Sequence, residues 1–153
     1  MTLSPQRCLA FIALFFAIQS SAQTTPIKKA TNGKLVYSYN KIVNNNSSQF
    51  SVQVVYKSEQ IIYKEEADSV VLHNTAELED FVSSLQKVIE SLSDDKASVY
   101  LEKPSYSLFK FDKGVVGTFV SISNPSGSIV SNNTKAQATE LLNWMKSINF
   151  GKE

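Results

Sequence analysis

The sequence predicts an α+β fold: a two-layer domain in which an antiparallel sheet carries two amphipathic helices on one face. Two observations predict it. Runs of β-branched and aromatic residues are separated by tight-turn signals, which implies antiparallel pairing. Two capped segments of helical period each close such a run, and their apolar stripes need a sheet face to cover. The alternative is a β-barrel of eight strands with a C-terminal helix. The helix at 76–92 interrupts the strand series and counts against it.

Leu35 to Val43 is rich in β-branched and aromatic residues, and Asn44 to Ser48 forms a polar turn cluster. Phe50, Val52, Val54 and Tyr56 then alternate with Ser51, Gln53 and Lys57, the period of a half-buried strand. Ile61 to Glu65 is expected to return as a hairpin partner through Lys57 to Gln60, and Ser69 to Leu72 makes a short strand. In the first helix Leu78, Phe81, Val82, Leu85, Val88, Ile89 and Leu92 form one stripe. Asn74 is placed to cap it, with Glu77 completing a capping box. Strands resume at Ser98 to Leu101, Tyr106 to Phe111, Val115 to Ile122 and Ser128 to Val130. Pro104, Asp112-Lys113-Gly114 and Asn124-Pro125-Ser126-Gly127 punctuate them. The second helix spans about Lys135 to Ile148, with Ala138, Leu141, Leu142, Met145 and Ile148 on one face.

A shift of 60 positions superposes the two helices. Asn74 falls on Thr134, Glu77 on Gln137, Phe81 on Leu141 and Leu85 on Met145, and Val70 of the preceding strand falls on Val130. The chain therefore reads as a strands-then-helix unit used twice, although the strands further upstream match poorly at that shift.

Residues 1–22 read as a signal peptide. Arg7 precedes an uncharged apolar run from Cys8 to Ile18, and Ser20 and Ala22 supply the small residues of a cleavage site. The run is too short to span a membrane as a helix. Cys8 precedes the run instead of following it, which argues against a lipid anchor. The Ala22-Gln23 junction resembles export signals of a large group of Gram-negative bacteria, which implies the periplasm or the medium. After the cut the domain is expected to be cysteine-free. Residues 23–33 have no apolar period and read as a flexible leader, and residues 34–150 read as one α+β domain.

Composition narrows the function. The chain holds 15 Lys plus Arg and 14 Asp plus Glu, and its one arginine is Arg7, so the remainder is balanced in charge. Nucleic-acid binding calls for a basic patch with arginine contacts, and neither is present. His73 is the sole histidine, and its functional reading is a general base or a lone metal ligand. It adjoins the cap Asn74, where the helix dipole opposes protonation, and no Gly-x-Ser-x-Gly nucleophile motif accompanies it. Glu65, Glu66 and Asp68 form the densest acidic cluster but lack the spacing of a calcium loop. Gly114 and Gly117 bracket two valines and are not a phosphate cradle, and one histidine cannot make a zinc site. No catalytic, cofactor or metal residues are assigned, and no cofactor is expected.

Six tyrosines, Tyr37, Tyr39, Tyr56, Tyr63, Tyr100 and Tyr106, fall on expected strands, where packing explains them. If Phe109 and Phe111 point inward, then Tyr106, Leu108 and Lys110 point outward and form a partner-facing surface. Asn45-Asn46-Ser47, Asn46-Ser47-Ser48 and Asn132-Asn133-Thr134 would accept glycans in a eukaryotic source. Two functions are thus expected in turn: an exported, non-catalytic binding module for an unknown protein or small ligand, or a small hydrolase using His73 with an acidic partner.

Overall fold

Leu35, Tyr37 and Tyr39 alternate with Val36, Ser38 and Asn40, and this period of two decides which face of the first sheet is buried. In the computed structural model, which describes residues 22–44, 47–57, 67–95, 97–126 and 129–153, four strands build that sheet. They are β1 (Gln23–Asn32), β2 (Leu35–Asn44), β3 (Ser47–Lys57) and β4 (Ala67–Leu72), antiparallel in the order β1-β2-β3-β4. Register sets Leu35 opposite Tyr56, Tyr37 opposite Val54 and Tyr39 opposite Val52, and all six are buried. The helix α1 (Thr75–Ser91) follows.

The same plan then repeats. The strands β5 (Tyr100–Lys103), β6 (Tyr106–Asp112), β7 (Thr118–Ser123) and β8 (Val130–Asn133) form a second antiparallel meander, and α2 (Lys135–Lys146) closes it. Both helices carry the expected cap residue, but the capping box expected on each is complete only on α2. Asn74 accepts the Glu77 backbone N–H on α1, and Thr134 and Gln137 form a complete capping box on α2. On α1 the Glu77 carboxylate accepts from the backbone N–H of His73, one residue before the cap.

The helices cross over between the meanders. α1 follows the first sheet yet packs on β6 of the second, with Phe81 edge-on to Tyr106 at 4.8 Å. α2 keeps contact with β7 and β8 and reaches back to the first sheet, where Trp144 meets Tyr37 edge-on at 4.9 Å. The helices also touch each other, and β3 approaches β8 while β4 approaches β7. One apolar core runs through both halves. It is a two-layer α+β fold, and the sheets do not close into a barrel.

Several expectations need correction. Residues 23–33 are not a free leader: Gln23–Asn32 is β1, paired along β2 from Gln23–Val43 to Asn32–Leu35. The strand lacks a hydrophobic period because it is a sheet edge, mostly exposed, with only Ile27 and Ala30 abutting the core. Pro26 sits at its register shift, and Lys28 and Lys29 follow, which are common guards of an edge. The description of the domain as cysteine-free does not hold for the chain, which carries Cys8. That description depended on removing residues 1–22, and residues 1–21 lie outside the described part. The strand expected at Ile61 to Glu65 also lies outside it. The strand expected from Val115 begins only at Thr118, because Gly114–Val116 forms a 3-10 turn.

The repeat is offset differently in strands and helices. On β8, Ser131 and Asn133 share the core side with Ile122 and Val120, as Val70 and Leu72 do on β4. Val70 therefore corresponds by face to Ser131, not to Val130. His73 is the extra residue that restores the 60-position offset at the helix caps.

Candidate functional site

β7 reads Phe119-Val120-Ser121-Ile122-Ser123, and its alternation sends Val120 and Ile122 inward, where both are buried. Pairing across the β6–β7 hairpin transfers that parity: Leu108 lies opposite Ile122, and Phe109 opposite Ser121. Tyr106 and Leu108 are consequently core residues, 2% and 0% exposed. Lys110 lies on the same side at the sheet's end, half-buried, with its ammonium donating to the Asp94 carbonyl. The partner-facing surface expected from Tyr106, Leu108 and Lys110 is thus on the wrong side of the right strand. The inward position of Tyr106 is favoured because its hydroxyl finds two partners there, Asp80 at 2.7 Å and Ser84 at 3.0 Å.

The opposite side of this sheet carries the aromatic rings. Tyr100 lies opposite Phe109 with ring centroids 5.6 Å apart, and Phe111 lies opposite Phe119. None of the four forms or abuts the core. Tyr100 is 62% exposed and Phe111 38%, while Phe109 and Phe119 are half-buried. In the same row Ser121 is buried and donates to Asn132 at 2.6 Å.

The apolar face continues onto the β6–β7 turn. Gly114 and Gly117 adopt φ of +59° and +115°, conformations costly for any residue with a Cβ. Asp112 accepts the Gly114 backbone N–H, and Lys113 donates to the Gly117 carbonyl at 3.0 Å. These bonds hold Val115 and Val116 at the tip, 106% and 62% exposed. Alternation on β6 alone could not have revealed this face, because both of its sides are apolar. The usable signal was β7, carried across the turn.

Two polar clusters lie on the helix side. Tyr106 and Lys103 converge on Asp80, with the lysine at 2.9 Å. These two hydrogen bonds, Lys103's first, hold the Asp80 carboxyl below its ordinary value. Tyr37 and Asn32 converge in the same way on Glu140, at 3.3 and 2.7 Å. Burial, and then the Glu140 charge, push the Tyr37 hydroxyl up to about 12. Such tyrosines are donors fixed in place, and they brace the helices against the sheets.

His73 is exposed at the end of β4. Its backbone N–H is bonded to Glu77, and among the described residues no hydrogen bond reaches the imidazole. Asp68 accepts the Ser69 backbone N–H, whereas Glu65 and Glu66 lie outside the described residues. Among the described residues no group of three His, Cys, Asp or Glu could hold a metal ion, and no helix is long and apolar enough to cross a membrane. No protein-family model matches the chain, and comparison with curated proteins and with solved structures finds no match.

Proposed function

We propose that the protein is an exported, non-catalytic binding module that engages its partner through the outer face of the second sheet. The observation that carries this reading is the row Tyr100, Phe109, Phe111 and Phe119, aromatic side chains held by regular strands yet excluded from the core. Apolar surface left outside the core, as at Tyr100 and Phe111, is of the kind that marks sites of association, and strands present it rigidly. Export is supported by the charged, apolar and small-residue regions of residues 1–22. The even charge balance, with arginine confined to Arg7, favours a partner other than nucleic acid.

The test compares the wild-type chain with a Phe109→Ser, Phe111→Ser variant as bait in the extracellular fraction of the source organism. A partner held by the wild type and lost from a variant of unchanged Tm supports the reading. Turnover on a hydrolase substrate panel that disappears in His73→Ala would replace it with the enzyme reading.

A further inference from the structure

We infer that the partner of this face is a lipid surface, met by the β6–β7 tip at Val115 and Val116 with Phe111 and Phe119 behind it. The inference rests on the binding-module reading and names its occupant. Three observations select a lipid surface over a protein.

The first is shape. Val115 is as exposed as in an isolated peptide, and a Cβ added at Gly114 or Gly117 would meet nothing within 4 Å. The tip therefore projects clear of the fold. Its apolar end is convex, the form that enters a bilayer boundary, whereas a docking groove is concave. The grooves on α1 and beside the C-terminal segment are lined by other residues.

The second is area. Tyr100, Phe111, Val115 and Val116 together expose on the order of 400 Å². A standard protein interface takes roughly 800 Å² per partner. These four side chains alone fall short of that area, whereas a shallow insertion needs no such footprint.

The third is charge. The turn carries one acid and one base, Asp112 and Lys113, and the Asp112 carboxylate already accepts the Gly114 N–H. The valine side chains themselves carry no polar group to desolvate, and no excess of positive charge directs the tip to anionic lipid alone.

The experiment is vesicle flotation of the wild type and of a Val115→Ser, Val116→Ser variant. One vesicle set is phosphatidylcholine, and the other adds phosphatidylglycerol. The wild type should float with both, in low and high salt, and the variant should bind about tenfold less with an unchanged Tm. The inference is overturned if the wild type stays unbound, if the variant floats equally, or if binding vanishes in high salt. A wild-type dimer that the variant dissolves would also overturn it, since the tip would then serve a second copy. Wild type that ignores vesicles while Phe109→Ser, Phe111→Ser still loses a captured protein sinks the lipid inference and leaves the module reading standing.

Discussion

The hydroxyl of Tyr106 on β6 donates to Asp80 on α1 at 2.7 Å, joining the second sheet to the helix that belongs to the first. Sixty positions on, Glu140 occupies the Asp80 place on α2 and receives Tyr37 of β2 at 3.3 Å, joining the first sheet to the second helix. Lys103 and Asn32, each ending the strand before its tyrosine, complete the two clusters. The next turn corresponds as well: the Ser84 hydroxyl hydrogen-bonds the Tyr106 oxygen, whose own proton goes to Asp80, and Trp144 packs on Tyr37. The crossover is thus held by two matched tyrosine–carboxylate links around a shared core. Each sheet is thereby bonded to the helix that follows the other sheet.

These links should differ in strength. Tyr106→Phe removes two short bonds, one of them to a carboxylate, and leaves Ser84 buried without its partner. A loss of about 2 kcal/mol in urea unfolding is expected. Tyr37→Phe removes one longer bond, and Glu140 keeps Asn32, so the loss should be about 0.5 kcal/mol. Equal losses would show that the links are not ranked by this geometry.

The tyrosines also set an alkaline limit. Burial pushes Tyr37 and Tyr56 up to about 12, and it raises Tyr106 too. In the unfolded chain they ionise near their ordinary value of 10. A raised folded value means that the native state holds its protons longer. The stabilisation is therefore fully present below pH 10 and is lost as pH rises toward 12. Tm should fall over that window, and less steeply in Tyr37→Phe. Asp80 behaves in the opposite sense: its lowered value stabilises the native state above its ordinary value of 3.8 and is lost as pH falls below it. With Asp80 and Lys103 both well exposed, that acid effect should stay under about 1 kcal/mol.

How much of this was legible depended on whether an element's burial had one side. Both helices, their caps and the strands around Tyr37 and Val54 carry unmistakable periods, and they lie where those periods predict. β1 was invisible because an edge strand takes its order from backbone pairing with β2, and pairing leaves no hydrophobic pattern. The outer aromatic face has no signature in β6 itself, because Tyr106 and Leu108 compete with Phe109 and Phe111 on equal apolar terms. The deciding fact, Leu108 opposite Ile122, is a register across a five-residue turn. The helix crossover has no local signature at all, since either sheet offers an apolar face to either stripe.

The assignment of faces on β6 gives a sharp pair of variants. Leu108→Ala deletes a fully buried side chain and should destabilise by about 2–5 kcal/mol. Phe111→Ala removes a larger side chain from outside the core and should cost under about 1 kcal/mol. Chemical denaturation of both decides it. The reverse order would restore the outward placing of Leu108 and end the case for the aromatic face.

Gly33 ties the edge strand to the second helix. It turns β1 into β2 at φ +59°, and a Cβ there would stand 2.6 Å from the Gln137 Nε2. Gln137 is the third residue of α2, and its Oε1 accepts the Thr134 backbone N–H in the capping box. Gly33→Ala should therefore act twice, through the left-handed backbone and through displacement of that amide. A cost of about 1–2 kcal/mol is expected. Gly114→Ala has a similar φ with open space around it, so it should show the backbone part alone. Combining Gly33→Ala with Gln137→Ala separates the two effects. If the glycine acts on the cap, the double variant should lose less than the two single losses added together, measured by urea unfolding. Full additivity would confine the role of Gly33 to the hairpin.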